Sequence, residues 1–306
     1  MKPNTTLPTN LPKTLLVTAA AVLFAASAYA APPTPVSSCG NVITTPGKYF
    51  LSTDLSCSGG TAVMIAASKV DLDLRGHRID GENDLKGIGI STSSADISSS
   101  GDQSLCLGVT NIGIHDGTVT GYSVPGAIGI LLCSPNDIGG PAVAMSVTVQ
   151  RMVLTGNNTG LDLVLTAQNK ITNNYVSNGD IGIDLSNGCS NNLISNNLLD
   201  GNRDQFGGGA GILIKGPSNT VTGNVAINNQ FGIFISQVAV NTQTTNNYTS
   251  HNVVGIEAQE FAAGNVFNGN TSFANTSFDL EDDNGSCTSN TWRGNFFGTS
   301  SLGCIQ

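Results

Sequence analysis

An all-β, single-domain right-handed parallel β-helix of about ten rungs is the fold this sequence predicts, and three observations predict it. A glycine followed by an alternating apolar pair recurs as Gly160-Leu161-Asp162-Leu163, Gly182-Ile183-Asp184-Leu185, Gly211-Ile212-Leu213-Ile214, Gly232-Ile233-Phe234-Ile235 and Gly255-Ile256-Glu257-Ala258, with Ser277-Phe278-Asp279-Leu280 closing the series. The steps are near 22 residues, except one of 29 that holds the insertion Arg203 to Gly209. A second motif follows each start, ending in Asn174, Asn197, Asn224, Asn247, Asn270 and Asn295. Self-similarity at a short fixed period marks a repeat whose units cannot bury their own apolar faces. The alternation has period two, so the segments are strands. Such a repeat is too short for two strands and a crossover helix. It fits one turn of a coil, right-handed like almost all parallel crossovers, with rungs about 4.8 Å apart. Stacked asparagine amides would form a ladder, and asparagine tolerates the left-handed turn.

Residues 1–30 read as an export signal. Lys2 and Lys13 precede an apolar run from Leu15 to about Ala28, and Ala28-Tyr29-Ala30 is a small-x-small cleavage site. That run is too short to span a membrane comfortably, so a periplasmic or extracellular location is expected. Export would remove two lysines and no acid, moving the formal net charge from −9 to −11. Nucleic acid and anionic membrane surfaces are poor partners for such a chain, and a monomer is expected.

All seven cysteines fall in the exported part, which permits disulfides. Three pairs close short loops: Cys39 with Cys57, Cys106 with Cys133, and Cys287 with Cys304. Cys189 is left over and reads as a small buried residue. Residues 31–60 read as an N-terminal cap, with Tyr49, Phe50, Leu51 and Leu55 to cover the first rung. Residues 61–306 read as the β-helix with a C-terminal capping rung, whose Trp292 takes the inward position of Ile171, Ile194 and Val221. In the early rungs Leu72 to Gly81 aligns without gaps to Ile112 to Gly121, and Val147 to Gly156 aligns again. Two insertions, Ser91 to Gly108 and Cys133 to Met145, leave the coil after the same strand and should project together. Long loops on one side of a scaffold commonly wall a groove.

In the Gly-Ile-x-Leu strand the x residue and the one two later point outward. The first column then reads Asp162, Asp184, Leu213, Phe234, Glu257 and Asp279, and the second Val164, Ser186, Lys215, Ser236, Gln259 and Glu281. Asp162 and Asp184 would lie about 5 Å apart, as would Glu257 and Asp279. Close carboxylates shift one another's pKa, which suits acid–base chemistry. Asp162, Asp184, Lys215, Glu257 and Asp279 are therefore the candidate working groups, with Phe234, Ser236, Gln259 and Glu281 lining the substrate. No cofactor is required, Ca²⁺ at Asp162 and Asp184 being the one candidate. A plainer alternative is a solvated face whose charges only keep the sheet soluble.

A second constellation stacks Arg75, His115 and Gln150 in one column and sets Asp116 beside Arg151. A histidine, an acid and two arginines suit binding and deprotonation of a sugar acid, the alternative being surface salt bridges. No metal spacing of His or Cys, nucleophile elbow or phosphate loop is present.

The repeat, the Asn-rich turns, the export signal and the closing Asn290-Thr291-Trp292-Arg293-Gly294-Asn295 resemble the parallel β-helix proteins of the pectin-lyase-like superfamily. More narrowly the chain is similar to the carbohydrate-binding and sugar-hydrolase repeat group that includes periplasmic NosD-like proteins. The resemblance implies polysaccharide binding or processing by a lyase, hydrolase or epimerase, or a non-catalytic scaffold of the cell envelope. The Asp-Pro-His motif of mannuronan epimerases is absent, as are the Asn-Thr-Asp and Arg-Ile-Lys motifs of polygalacturonases, so no catalytic residue is carried over. At −11 the chain favours a neutral glycan, or an anionic one bridged by Ca²⁺.

Overall fold

Alternating apolar residues and left-handed corner residues divide each repeat into three short parallel strands. The computed structural model describes residues 31–83, 86–94, 105–135, 142–186, 188–204 and 208–306. The expected export signal, residues 95–104 and 136–141 of the two long insertions, and 205–207 of the third lie outside the described residues. No α-helix occurs among the described residues, and Pro32–Gln306 form one unit.

The first sheet has ten parallel strands, from Asn41–Ile43 to Phe278–Asp282. A second face runs from Thr34–Val36 to Thr291–Arg293 and a third from Leu55–Ser56 to Phe296–Phe297. Ile112–Thr120 and Thr148–Thr155 run unbroken through both of these faces. The strands of these three faces pair in parallel, each beside its counterpart one rung away. The chain is thus a right-handed parallel β-helix of about ten rungs. Residues 34–56 already pair into the sheets.

Inward residues from the three faces meet in one core. Leu161, Leu163, Ile171 and Val176 of a single rung are at most 1% exposed. Each such side chain contributes roughly 1.5–3 kcal/mol on burial. The recurrent glycine is forced by the coil's narrowness. A Cβ on Gly160 would lie 2.6 Å from the Gly182 carbonyl oxygen, and on Gly232 2.4 Å from that of Gly255.

The asparagine ladder forms. Asn197 receives both the backbone N–H and the side-chain amide of Asn174 at 3.0 Å on its Oδ1. The relay continues through Asn224, Asn247, Asn270 and Asn295. The laddering asparagine is not the left-handed residue; its predecessor is, as at Asn173 (φ 56°), Gly223 (φ 66°) and Asn246 (φ 53°). The other two corners carry ladders as well. One runs Asn202, Asn229, Asn252, Asn275. The other runs Asn169, Asn192, Asn219 and resumes at Asn265 and Asn290 after Thr242.

All three expected disulfides form, with Cα–Cα separations of 5.6, 5.5 and 6.0 Å, and Cys189 is free and buried. Trp292 is core, stacked on Phe267 at 3.8 Å between ring centroids, its Nε1 donating to Asp282 Oδ2 at 2.7 Å.

Two register expectations are corrected. In the last rung Leu280 pairs with Ile256 and Glu281 with Glu257. Asp279 therefore occupies the glycine position, and Glu281 stands in the first outward column where Asp279 was expected. Beyond that position lies the C-terminal tail and not another full rung: Leu280 donates to the Thr299 carbonyl at 3.2 Å, and the Asp279 carboxylate accepts from the tail's Gly298 and Thr299. In the early rungs Asp73, not Arg75, pairs with His115. Arg75 (φ 52°) and Gly76 (φ 80°) are two extra corner residues, and the register returns at Ile79 against Val119.

Candidate functional site

The outward side of the first sheet places Asp162, Asp184, Leu213, Phe234, Glu257 and Glu281 in one column, rung by rung. Backbone bonds put Ser186, Lys215, Ser236, Gln259 and Asp283 in the column beside it. The sequence brought eight of its nine candidates here to this face, and Asp279 is the exception. Its carboxylate is saturated by Asn275, Gly298 and Thr299, which fasten the C-terminal tail to the last rung. It is a structural residue, not a reactive one. Asp283 is the member of this group that the sequence reading missed, and the two-residue register shift is what hid it.

An apolar cluster flanks the face at one end. Towards the N-terminus Leu131 pairs with Asp162, inside an apolar cluster of Ile88, Cys106, Ile128, Leu131 and Cys133. The Cys106–Cys133 bridge holds that cluster over the sheet. Burial, and then the neighbouring Asp184 charge, push Asp162 up to about 7, although Ser186 donates to its Oδ1 at 3.1 Å. Asp184 is 7% exposed. Burial raises its pKa, and the Lys215 ammonium, bonded to Oδ2 at 2.9 Å, pulls against that. Asp184 Oδ1 and, two rungs on, Ser236 Oγ are buried without a hydrogen-bond partner among the described residues. Glu257 is 7% exposed. Burial first, then Asp283 and Glu281, push it up to about 8, so it holds a proton near neutral pH. Between the two acidic ends Phe234 packs against Phe231 at 5.0 Å, and Leu213 is nearly covered.

The second constellation lies where the first long strand bends between the second and third faces. Arg151 grips Asp116 through Nε at 2.6 Å and Nη2 at 2.7 Å. That guanidinium is the main reason the Asp116 carboxyl falls to about 2. His115 reaches Asp116 Oδ2 through Nδ1 at 2.7 Å and Asp71 Oδ1 through Nε2 at 3.0 Å. Asp73 Oδ1 lies 3.8 Å from Nδ1. Arg75 does not reach His115: its guanidinium lies 3.5 Å from the centre of the Phe50 ring, with Nε 3.9 Å from Asp73 Oδ2. The expected Arg75–His115 stack is thus replaced by Asp73 with His115, and Asp71 joins from the alternate outward position of the same strand. A cleft of about 310 Å³ opens beside them, lined by Lys48, Phe50, Asp71, Asp73, Arg75 and His115 among others. Asp71 and Asp73 alternate outward in the sequence, so counting the Arg75-Gly76 pair as an insertion would have found them.

A family model described as periplasmic copper-binding protein (NosD) matches residues 97–301. The chain belongs to the NosD family. A comparison with curated proteins finds no match. Among solved structures, a mannuronic acid specific polysaccharide family 6 lyase from human gut microbiota superposes with a TM-score of 0.50 at 12% identity, covering 89% of this chain and 82% of that one. The Paenibacillus alginate lyase gives 0.47 at 11%, covering 89% and 99%. The Dettilon tailspike protein gives 0.49 at 13%, covering 87% of this chain, which spans only 60% of the tailspike's length. The likeness to the family 6 lyase agrees with the fold of this NosD-family chain. The described residues contain no helix long and apolar enough to cross a membrane.

Proposed function

We propose that this NosD-family protein is exported and binds a polysaccharide along the outward face of its first sheet. The observation that carries the reading is the pair of buried atoms, Asp184 Oδ1 and Ser236 Oγ, left without partners on that face. A buried polar atom with no partner costs roughly 1–3 kcal/mol and asks for a missing partner. Sugar hydroxyls both donate and accept, so a chain of them lying across successive rungs would supply an acceptor's donor and a hydroxyl's partner at once. Phe234 offers an apolar surface between the polar ends. Lys215 marks one end and Glu257 the other. A carboxyl held protonated near neutral pH beside Glu281, its partner one rung away, gives this face a general acid and a second carboxylate about 5 Å distant. That spacing is the one retaining glycoside hydrolysis uses.

The family's periplasmic description agrees with the three disulfides and with the export signal read from the sequence. The polysaccharides named for the structural neighbours add alginate to the compounds worth testing. The family's description also names copper, and the donor set here selects the oxidation state. Six cysteines are bridged, Cys189, Met145 and Met152 are buried, and Met64 is the one half-buried thioether among the described residues, so the reachable donors are mainly imidazole and carboxylate. Those suit Cu²⁺ and not Cu⁺.

The test is affinity electrophoresis of the mature protein against neutral glycans, and against alginate and pectate with and without Ca²⁺. Retardation by at least one glycan is expected, weakened about tenfold in Lys215→Ala. Because that change leaves Asp184 buried and unpaired, Ser236→Ala is the companion variant. Its hydroxyl has no protein partner to lose, so it should weaken glycan binding at unchanged stability. Retardation unaffected by both variants, or none with any glycan, would return this face to a purely solvating role.

A further inference from the structure

The outward face of the first sheet ends at the corner leading to the second face, and an exposed apolar ledge stands on that corner. Phe261 and Val238 are 68% and 51% exposed. The Val240–Ala263 bridge sets them side by side, one rung apart. Each follows by two residues a member of the face's second column, Gln259 for Phe261 and Ser236 for Val238. Ser236 carries the buried hydroxyl that lacks a partner.

Phe261 is held out at a cost to the fold. The Ala262 N–H donates to the Gln259 carbonyl at 2.9 Å, closing a four-residue turn in which Phe261 is third. Its backbone there is left-handed, φ 73°. A third turn residue with positive φ is ordinarily glycine, and a bulky side chain in that region is strained. The corresponding turn from Ser186 to Cys189 has glycine in that place, Gly188 at φ 86°. Asn284 of the next rung secures the strained turn. Its Oδ1 accepts from the Phe261 N–H at 2.9 Å, and its Nδ2 donates to the Ala262 carbonyl at 3.1 Å. The same Nδ2 donates to Asp282 Oδ1 at 2.8 Å. Neither burial nor backbone preference accounts for phenylalanine at this position.

We infer that Phe261 is a stacking platform for one sugar ring of the bound polysaccharide, and that this ring is a neutral pyranose with mostly equatorial hydroxyls. The inference rests on the glycan reading of this face. Equatorial hydroxyls leave the axial C–H bonds to form an apolar ring face, which a phenyl ring can cover. Aromatic side chains supply large contact area with few rotatable bonds. The clamped turn presents the ring already oriented, so little ordering remains to be done on binding. The nearby charges select against an acidic sugar. Glu260 lies in the turn itself. The Asp283 carboxyl one rung on is raised by burial, then by the charges of Asp282 and Glu260. A uronate stacked on Phe261 would add like charge to that group.

Calorimetric titration of the mature protein with hydroxyethyl cellulose, a soluble neutral glucan, and with mannuronate-rich alginate tests this. Phe261→Gly removes the ring and relieves the backbone. Glucan binding weakened roughly tenfold is expected, with a urea midpoint equal to or above the parent's. Phe261→Tyr keeps a ring and should bind the glucan within about twofold of the parent. Alginate without Ca²⁺ should bind about tenfold more weakly than the glucan. Glucan binding by Phe261→Gly as tight as the parent's would overturn the assignment. So would weakened binding with a lowered midpoint, since the ring would then serve the fold. Self-association of the parent that Phe261→Gly abolishes, at unchanged glucan affinity, would give the ring to a second copy. Alginate bound as tightly as the glucan would overturn the choice of a neutral sugar. Binding weakened by Ser236→Ala and not by Phe261→Gly removes the platform and leaves the face standing. A parent that binds neither probe overturns the inference, whereas the face itself falls only if the wider glycan panel is silent.

Discussion

Replacing Glu257 with Gln should stabilise the protein, and by an amount that depends on pH. In the fold the Glu257 carboxyl is pushed from an ordinary 4.5 to about 8, by burial and then by Asp283 and Glu281. One pKa unit corresponds to about 1.36 kcal/mol. The folded chain therefore binds a proton here that the unfolded chain has released, between about pH 4.5 and pH 8. Stability falls as pH rises through that window. Below pH 4.5 the residue costs nothing by this route. At pH 7 the penalty is about 3 kcal/mol, and above pH 8 it reaches about 5 kcal/mol. A glutamine keeps the size, supplies an N–H donor in place of the carboxyl O–H, and carries no charge at any pH. Urea unfolding with disulfides intact, at pH 5, 7 and 9, measures the difference. Near-equal stability at pH 5 and a gain of roughly 3–5 kcal/mol at pH 9 are expected. Parallel curves for the two proteins, with a constant offset, would refute the reasoning.

Three further outcomes follow from other parts of the fold. Asn224→Ala removes the acceptor for two bonds from Asn197 and the donor to Ile194 and Asn247; at about 1 kcal/mol for each of four buried bonds, a loss of roughly 3–5 kcal/mol in urea unfolding is expected. A loss below 1 kcal/mol would mean the ladder is ornamental. Cys189 is fully buried and its thiol is pushed up to about 12, so a thiol reagent at pH 8 should label one cysteine only as the chain unfolds. Labelling of the native protein within minutes would contradict that placement. Arg151→Ala, by contrast, should cost about 1 kcal/mol or less at pH 7, because both members of the Arg151–Asp116 pair are more than one-third exposed.

The coil was legible because its period is short and the glycine column is sterically enforced. Gly160, Gly182, Gly211, Gly232 and Gly255 have no alternative while another rung's carbonyl lies above them. The same physics hid the last rung, since Asp279 replaces glycine where the stack ends. Matching Ser277 to the motif then moved Glu281 and Asp283 out of their columns. In the early rungs the gapless match of Leu72–Gly81 to Ile112–Gly121 preserved the apolar pattern on both sides of the corner. Two extra left-handed residues, Arg75 and Gly76, changed which outward residues meet. An insertion of two keeps strand alternation intact, so hydropathy could not reveal it. Only one of three asparagine ladders was read, because the other two are interrupted in sequence, by Gly179 between Asn157 and Asn202 and by Thr242. Which outward atoms lack partners is a property of packing, and no sequence pattern carries it.

Hydrogen–deuterium exchange of the mature protein, with and without the tightest-binding glycan, tests the central claim most directly. The account predicts slowed exchange in segments 184–186, 213–216, 234–237 and 257–260, one above another on the first sheet, with 71–75 and 113–118 unchanged. Protection confined to those early-rung segments, or to the third face around Tyr175 and Tyr248, would contradict it.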